Sequence, residues 1–325
     1  MIIIDAEAVD RLLAYPDLVD ILADGFRQGA ITPLRHHHSM TYEDRPEATL
    51  LLMPAWTASR PGAATAGRHA GVKIVTVVPD NAARFGLPSI AGSYLLLSAE
   101  NGTPLALIDG PKLTVWRTAA ASALASRYLS RADARHLVMV GAGALAPYLI
   151  RAHASVRPIE RVTIWNRTRA NAERVASELS RATALTITVT DDLERAVREA
   201  DIVSTATLSF DPLVLGAWLA PGLHIDCVGA FRPDMREIDN EAIRRARVWV
   251  DTMAGGLAEA GDVVQAIAAG VLDAGGVMGD LYGLTSGHAP VRADPAEITV
   301  FKSVGASIED LFAAVHLVER ASAQS

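Results

Sequence analysis

The sequence predicts an α/β chain in which a doubly wound parallel sheet is joined to a second, mixed α/β domain made by the N-terminal part and the C-terminal helix. Three observations predict it. An apolar run, Leu137 to Val140, precedes Gly141, Gly143 and Ala146, the G-x-G-x-x-G/A spacing of a Rossmann-type strand-to-helix turn. A second apolar strand, residues 162–165, follows at the distance of the next βα unit. Strand-like and helical stretches then alternate to about residue 250, as parallel βαβ units require.

Taken in order, residues 1–5 read as a first strand, because they lack the basic flank and long apolar core of a signal peptide. An amphipathic helix is expected near 18–28, a turn at 39–44, and strands at 49–53, 72–78 and 93–97, separated by Pro and Gly. The Ala-rich stretch 119–125 is ordinary helix. Beyond it come strand 137–140, helix 144–155, strand 162–165, helix 169–180, strand 185–189, helix 192–199 and strands 201–206, 223–228 and 247–251. A strand at 298–301 and an amphipathic helix at 309–319 close the chain, the helix returning to the first domain. The expected division is 1–125 with 302–325 for the mixed domain and 126–301 for the Rossmann-type domain.

With 325 residues, half of them hydrophobic, the chain has ample core for two domains. A formal charge of −7 and dispersed basic residues argue against nucleic acid or a membrane surface as partner and for a small ligand. No apolar run is long enough to span a membrane. Cys227, the single cysteine, excludes an intrachain disulfide and fits a reducing cytoplasm; its strand-like setting gives it a packing role.

Each small residue of the turn has a function. Gly141 permits the tight bend, Gly143 lets backbone N–H groups approach a pyrophosphate, and Ala146 allows close helix packing, while Ala144 and Leu145 open the helix whose positive end faces the anion. The second strand of an NAD site usually ends in an acidic residue that binds the ribose 2′-hydroxyl. Here Asn166 stands there, followed by Arg167, Thr168 and Arg169, so the expected cofactor is NADP(H) in preference to NAD(H).

In the first domain, Lys73 lies in an otherwise apolar strand, where an ammonium is costly unless it meets an anion. Arg117 begins an Ala-rich helix, and Arg35 precedes a histidine triplet. Each alone suits a surface cation or a structural ion pair. Together they suit a carboxylate clamp, in which guanidinium forks grip the carboxylate and the lysine also donates a proton.

The chain resembles the ornithine cyclodeaminase and mu-crystallin family nearly end to end. The resemblance rests on Leu52 to Pro54, Gly71 to Thr76, Gly102 to Gly110, Leu113 to Ser122, the Gly141 turn, Gly229 to Glu237, Glu259 to Asp262 and Phe301 to Gly305. It implies a homodimer whose non-Rossmann domain supplies the interface and much of the substrate pocket, with nicotinamide at the cleft between domains. It also implies that Arg35, Lys73 and Arg117 hold the substrate carboxylate. The expected cofactor contacts include Thr205, Val228 and the turn Ser303, Val304 and Gly305, with Phe231 at the substrate.

The sequence departs from the cyclodeaminases of that family at two positions. Where they carry an aspartate thought to bind the substrate amine and act as base, this chain has Phe231, and their acidic residue before the Met-Pro pair is matched by Leu51. Both replacements are apolar. Asp234 recurs in the mu-crystallin-like members, where a structural role suits it. The leading reading is a ketimine reductase-like enzyme, with the alanine dehydrogenase-like members nearby, that transfers hydride to C2 of a carboxylated imine formed within a ring or from a 2-oxo acid and an amine. Two alternatives stand beside it: a lyase that cyclises ornithine with recycled NAD, and a non-catalytic NADP(H)- or small-ligand-binding protein.

Several residues are read as structural. Consecutive strand side chains alternate faces, so His36, His37 and His38 do not converge on a metal. Asp226 and Asp251 are read as helix caps at strand ends, and Glu259 and Asp262 as closing the sheet edge against the cleft. Asp310, in the last helix, is left outside the site. Substrate selectivity is expected in loops around 39–60 and 84–94.

Overall fold

The computed structural model describes residues 1–58 and 68–323. It divides into two compact units, Met1–Thr118 with Ala306–Ser325, and Ala119–Gly305. The sequence put these divisions at 125/126 and 301/302. The first instead falls inside a continuous helix that offers no loop at which to break.

The first unit begins with β1 (Ile2–Ile4), α1 (Ala6–Leu12) and α2 (Tyr15–Gln28). The Asp5 carboxylate accepts the Ala8 N–H at 2.8 Å and starts α1. Leu18, Val19, Leu22 and Phe26 are buried along one face of α2. Strands β2 (Ala30–Ile31), β3 (His36–Tyr42), β4 (Arg45–Thr57) and β5 (His69–Val77) follow, then α3 (Asn81–Phe85), β6 (Ile90–Ser98), β7 (Pro104–Asp109) and α4 (Gly110–Leu129). They form a seven-stranded sheet of order β1-β7-β6-β5-β4-β2, with β3 also on β4. All pairs are antiparallel except β1 with β7.

The turn expected at 39–44 is shorter than the sequence suggested. β3 continues to Tyr42, with Ser39 opposite Thr49, and only residues 43 and 44 turn. Pairing with β4 overrides the polar local sequence. The expected selectivity loop at 39–60 is likewise mostly strand, with 59 and 60 outside the described residues. Pro54 sits within β4 because neither β3, which pairs as far as Leu52, nor β2, which begins at Trp56, claims its position.

The second unit continues with β8 (His136–Val140), α5 (Ala146–Val156), β9 (Arg161–Trp165), α6 (Arg169–Ala182), β10 (Thr186–Val189), α7 (Leu193–Arg198), β11 (Ile202–Thr205) and β12 (His224–Cys227). Then come α8 (Asn240–Arg245), β13 (Arg247–Val250), α9 (Met253–Ala258), α10 (Gly261–Ala268), α11 (Leu281–Ser286) and β14 (Thr299–Lys302). Seven parallel strands run in the order β10-β9-β8-β11-β12-β14-β13. The order reverses between β8 and β11, where sheets of this kind bind ligands. Strands β8, β11, β12 and β14 are buried along their whole length, which explains the apolar run of β8 and requires partners for the polar residues that the other three carry. Cys227 packs in this core, and burial pushes its thiol well above its ordinary pKa. The short helices α8 to α11 have no readable period; the side chains of Asp239, Thr252 and Asp280 start three of them.

Helix α12 (Ser307–Ser322) returns to the first unit and packs on α2 and on β4, β5 and β6. Gly25 of α2 gives room to the Phe312 ring, which occupies the space a Cβ would need. Gly25→Ala is therefore expected to destabilise the chain by about 1–3 kcal/mol through overpacking, despite alanine's higher helix propensity. Urea denaturation checks it: an unchanged or raised midpoint would mean that Phe312 does not seat on α2 as described.

Candidate active site

Two clusters of functional groups stand out, one in each unit. In the second unit, β8 leads into Gly141, whose φ of 109° disfavours any residue with a Cβ. A Cβ there would also lie 2.7 Å from the Ala206 carbonyl oxygen. Gly143 and Ala144 are exposed, and nothing lies within 4 Å of a Cβ built on Gly143. Leu145 precedes α5 without a side-chain cap, and Ala146 is fully buried in its first turn. The first amides of α5 are thus suited to an anion.

A cavity of about 320 Å³ opens beside this turn, with Gly141, Gly143, Asn166 and Arg167 among its lining residues. Thr207 to Ser209, which follow β11, form another wall. The sequence reading missed this wall, because the glycine motif describes β8 and β9 alone. The signal was the strand after α7, which pairs with β8 across the reversal in strand order. An open cavity, a glycine that needs its left-handed backbone and an uncapped helix start fit a dinucleotide.

Other candidate contacts are differently placed. Asn166 accepts the Ala142 N–H at 3.1 Å and donates to the Thr168 carbonyl at 2.8 Å, so it ties the two turns together. Arg167 makes no ion pair among the described residues, whereas Arg169 is held by Glu173 and Asp191 and is not free for a phosphate. Thr168 lies at the N-cap of α6. Thr205 is fully buried and donates its hydroxyl to Glu237 at 2.8 Å, which removes it from the cavity surface. Val228 is also buried, and Phe231, 39% exposed, follows Ala230 with its left-handed φ of 46°.

Asp251 does not cap the next helix. It accepts the N–H groups of Val304 and Gly305 at 2.8 and 2.6 Å and faces the Ser303 hydroxyl at 3.3 Å, fixing the turn that the sequence assigned to the cofactor. Burial pushes its pKa up and those N–H groups pull it back. Asp226 is no cap either, for it meets the Ser204 hydroxyl at 2.7 Å and His153 Nε2 at 3.0 Å inside the core. Asp262 accepts the N–H groups of Glu237 and Ile238 at 2.7 and 3.0 Å.

In the first unit, Lys73 occupies the middle of β5, opposite Met53 on β4 and Tyr94 on β6, and is 3% exposed. Its Nζ lies 2.8 Å from Asp310 Oδ2. Arg117 donates from Nε to the same carboxylate at 3.0 Å and from Nη1 to Glu309 at 2.6 Å. Burial pulls the Lys73 pKa down to about 8; the charge of Arg117 adds to this, Asp310 opposes it, and Arg35 is near enough to contribute. The structure thus groups the three basic residues named from the sequence. It adds Glu309 and Asp310, whose signal was two acids set among Ile308, Leu311 and Phe312 on the buried face of α12. His36, His37 and His38 are exposed on β3.

The profile of the ornithine cyclodeaminase/mu-crystallin family matches residues 2–325. A Delta(1)-pyrroline-2-carboxylate reductase of Colwellia psychrerythraea is 37% identical over 322 residues, covering 98% of this chain and 99% of that protein. The Thermococcus litoralis Delta(1)-pyrroline-2-carboxylate reductase, solved with NADH and L-proline, superposes with a TM-score of 0.90 at 31% identity, covering 100% of this chain and 98% of the other. The iminosuccinate reductase of Paracoccus denitrificans, solved with NAD⁺, gives 0.87 at 27% identity, covering 100% and 97%. With its whole length matched and its glycine turn and basic cluster in place, the chain belongs to the ornithine cyclodeaminase/mu-crystallin family.

Proposed function

We propose that the chain is an NAD(P)H-dependent reductase of small carboxylated imines, with a cyclic imine of the pyrroline-2-carboxylate type as the first substrate to test. The observation that carries this is the buried Lys73–Asp310–Arg117–Glu309 cluster with Arg35 near it. Three cations and two carboxylates leave one positive charge, which a single substrate carboxylate balances. Arg35 and Arg117 hold that carboxylate, and Lys73 polarises and protonates the imine nitrogen. The cofactor supplies the hydride. Phe231 and Leu51 offer no base or acid to a diamine, which favours net reduction over cyclodeamination.

Lys73→Met is expected to lower kcat by about a hundredfold or more while leaving cofactor binding intact, measured as loss of reduced-nicotinamide absorbance with pyrroline-2-carboxylate. Because Lys73 acts as an acid with a pKa of about 8, kcat/KM should fall as pH rises through that value in wild type. Ammonia released from ornithine with no net cofactor consumption would overturn the reductase reading.

The cofactor preference rests on Asn166 and Arg167. Asn166 carries no charge to repel a 2′-phosphate, and Arg167, which makes no ion pair among the described residues, lines the same cavity. NADPH is the preferred cofactor on this reading. Arg167→Ala should then raise the KM for NADPH about tenfold and leave that for NADH nearly unchanged; equal effects on both would remove the preference.

The face of the seven-stranded sheet opposite Lys73 carries Trp56 and Ile74, each more than a third exposed. Such an apolar sheet face suits a second copy of the chain. A homodimer is the proposed state. Ile74→Asp should shift sedimentation toward the monomer, and a wild-type monomer at micromolar concentration would rule the dimer out.

A further inference from the structure

Glu237 is fully buried in the second unit, and no step of the proposed reaction uses it. Its Oε1 accepts the Thr207 N–H at 2.7 Å and the Thr207 hydroxyl at 2.8 Å, and its Oε2 accepts the Thr205 hydroxyl. Three donors converging on one carboxylate need both oxygens as acceptors. Thr207 is a wall of the cavity beside the Gly141 turn. The surroundings are equally specified. Lys302 on β14 stands 3.1 Å from Asp262 and 4.0 Å from Glu237, and it donates to the Gly229 carbonyl. Gly229 has no side chain because the Thr207 carbonyl and the Glu237 carboxylate fill the space a Cβ would take.

A buried carboxylate costs several kcal/mol to desolvate and is maintained only by good partners. Here two of the three hydrogen bonds come from Thr207, in the segment that shapes the cavity beyond β11, and the third from Thr205 at the end of that strand. We propose that Glu237 is a positioning residue for the dinucleotide: as a carboxylate it fixes Thr207 and hence the cavity wall, so nucleotide affinity follows its charge. This rests on reading the cavity as the cofactor site.

The groups facing Glu237 place its titration in a testable range. Burial raises its pKa to about 7, Lys302 on β14 pulls it down, Asp262 on α10 pushes it up, and the Thr207 and Thr205 hydroxyls favour the anion. Cys227 on β12 stays a neutral thiol, since burial pushes its pKa well up. Burial works against the charge of Lys302, yet Asp262 and Glu237 hold its pKa above the ordinary lysine value. Protonation of Oε1 turns that oxygen into a donor and weakens its bond from the Thr207 N–H, which cannot reverse. Affinity therefore falls as pH drops through about 7.

The test is NADH binding to the full chain, read by nicotinamide fluorescence between about pH 6 and pH 8.5. NADH is the probe because it lacks the 2′-phosphate, which titrates in the same range. Wild type should lose about tenfold in affinity toward the acid end. Glu237→Gln should bind weakly and without that slope, while kcat at saturating cofactor stays within about twofold. Thr207→Val, which keeps the β-branched shape, should lose more affinity at high pH than at low pH and serves if Glu237→Gln does not fold. A flat wild-type profile, a Glu237→Gln profile that follows wild type, or a Thr207→Val loss equal at every pH would each overturn the proposal. Failure of wild type to bind either NADH or NADPH would remove the cofactor reading, and this proposal with it.

Discussion

The ion cluster of Lys73, Arg117, Glu309 and Asp310 is the constraint on which the first unit is built. Two cations and two carboxylates, all nearly inaccessible to water, persist only if each stays within bonding distance of its partners, and loss of one partner typically costs about 3–5 kcal/mol. The partners come from distant parts of the chain, β5, α4 and α12. The C-terminal helix is therefore tied to the sheet by charge through Lys73 and packed against Gly25 of α2 through Phe312. Packing and chemistry share one interface: the contact that seats α12 also sets the ionisation of Lys73.

The second unit uses buried carboxylates in another way. Asp251 accepts the N–H groups of Val304 and Gly305 just beyond β14, and Glu237 accepts that of Thr207 just beyond β11. Such segments must leave the sheet yet keep a fixed shape, and a carboxylate that accepts several amides supplies that fixity without adding a strand. The strands gain their order from burial along their whole length, and the segments beyond them from charge. This separates the part of the sequence that determines the fold from the part that shapes the cavity.

That separation explains what was legible in the sequence. The βαβ series was readable because Leu137 to Val140 and Val162 to Trp165 are buried on both faces and the helices between them have one apolar side. Lys73 and Arg117 were readable because a charge in an apolar run has few explanations. Asp310 was not, since one acid on an amphipathic helix looks like its solvent face until the register with β5 is known. The same holds for Thr205, which seemed to face a ligand and instead turns its hydroxyl to Glu237. Arg169 is held by two acids, of which Glu173 one turn along α6 was within reach of the sequence pattern and Asp191 is brought near only when the β10–α7 connection is in place. Side chains whose partners lie across the sequence are the ones that local pattern cannot place.

Proton accounting separates the two enzyme readings more sharply than family resemblance does. Net reduction of an imine consumes one hydride and one proton, and Lys73, held by Asp310 and lowered to about 8, is suited to give one proton near neutral pH. Cyclodeamination returns the hydride to its donor and must also move protons among two amines and a leaving ammonia, which calls for a further base at the reacting carbon. At the position where the family's cyclodeaminases place that base, this chain presents the Phe231 ring, and the matching acid before the Met-Pro pair is Leu51. With no carboxylate at either of those two positions, net reduction is the reading that the sequence favours.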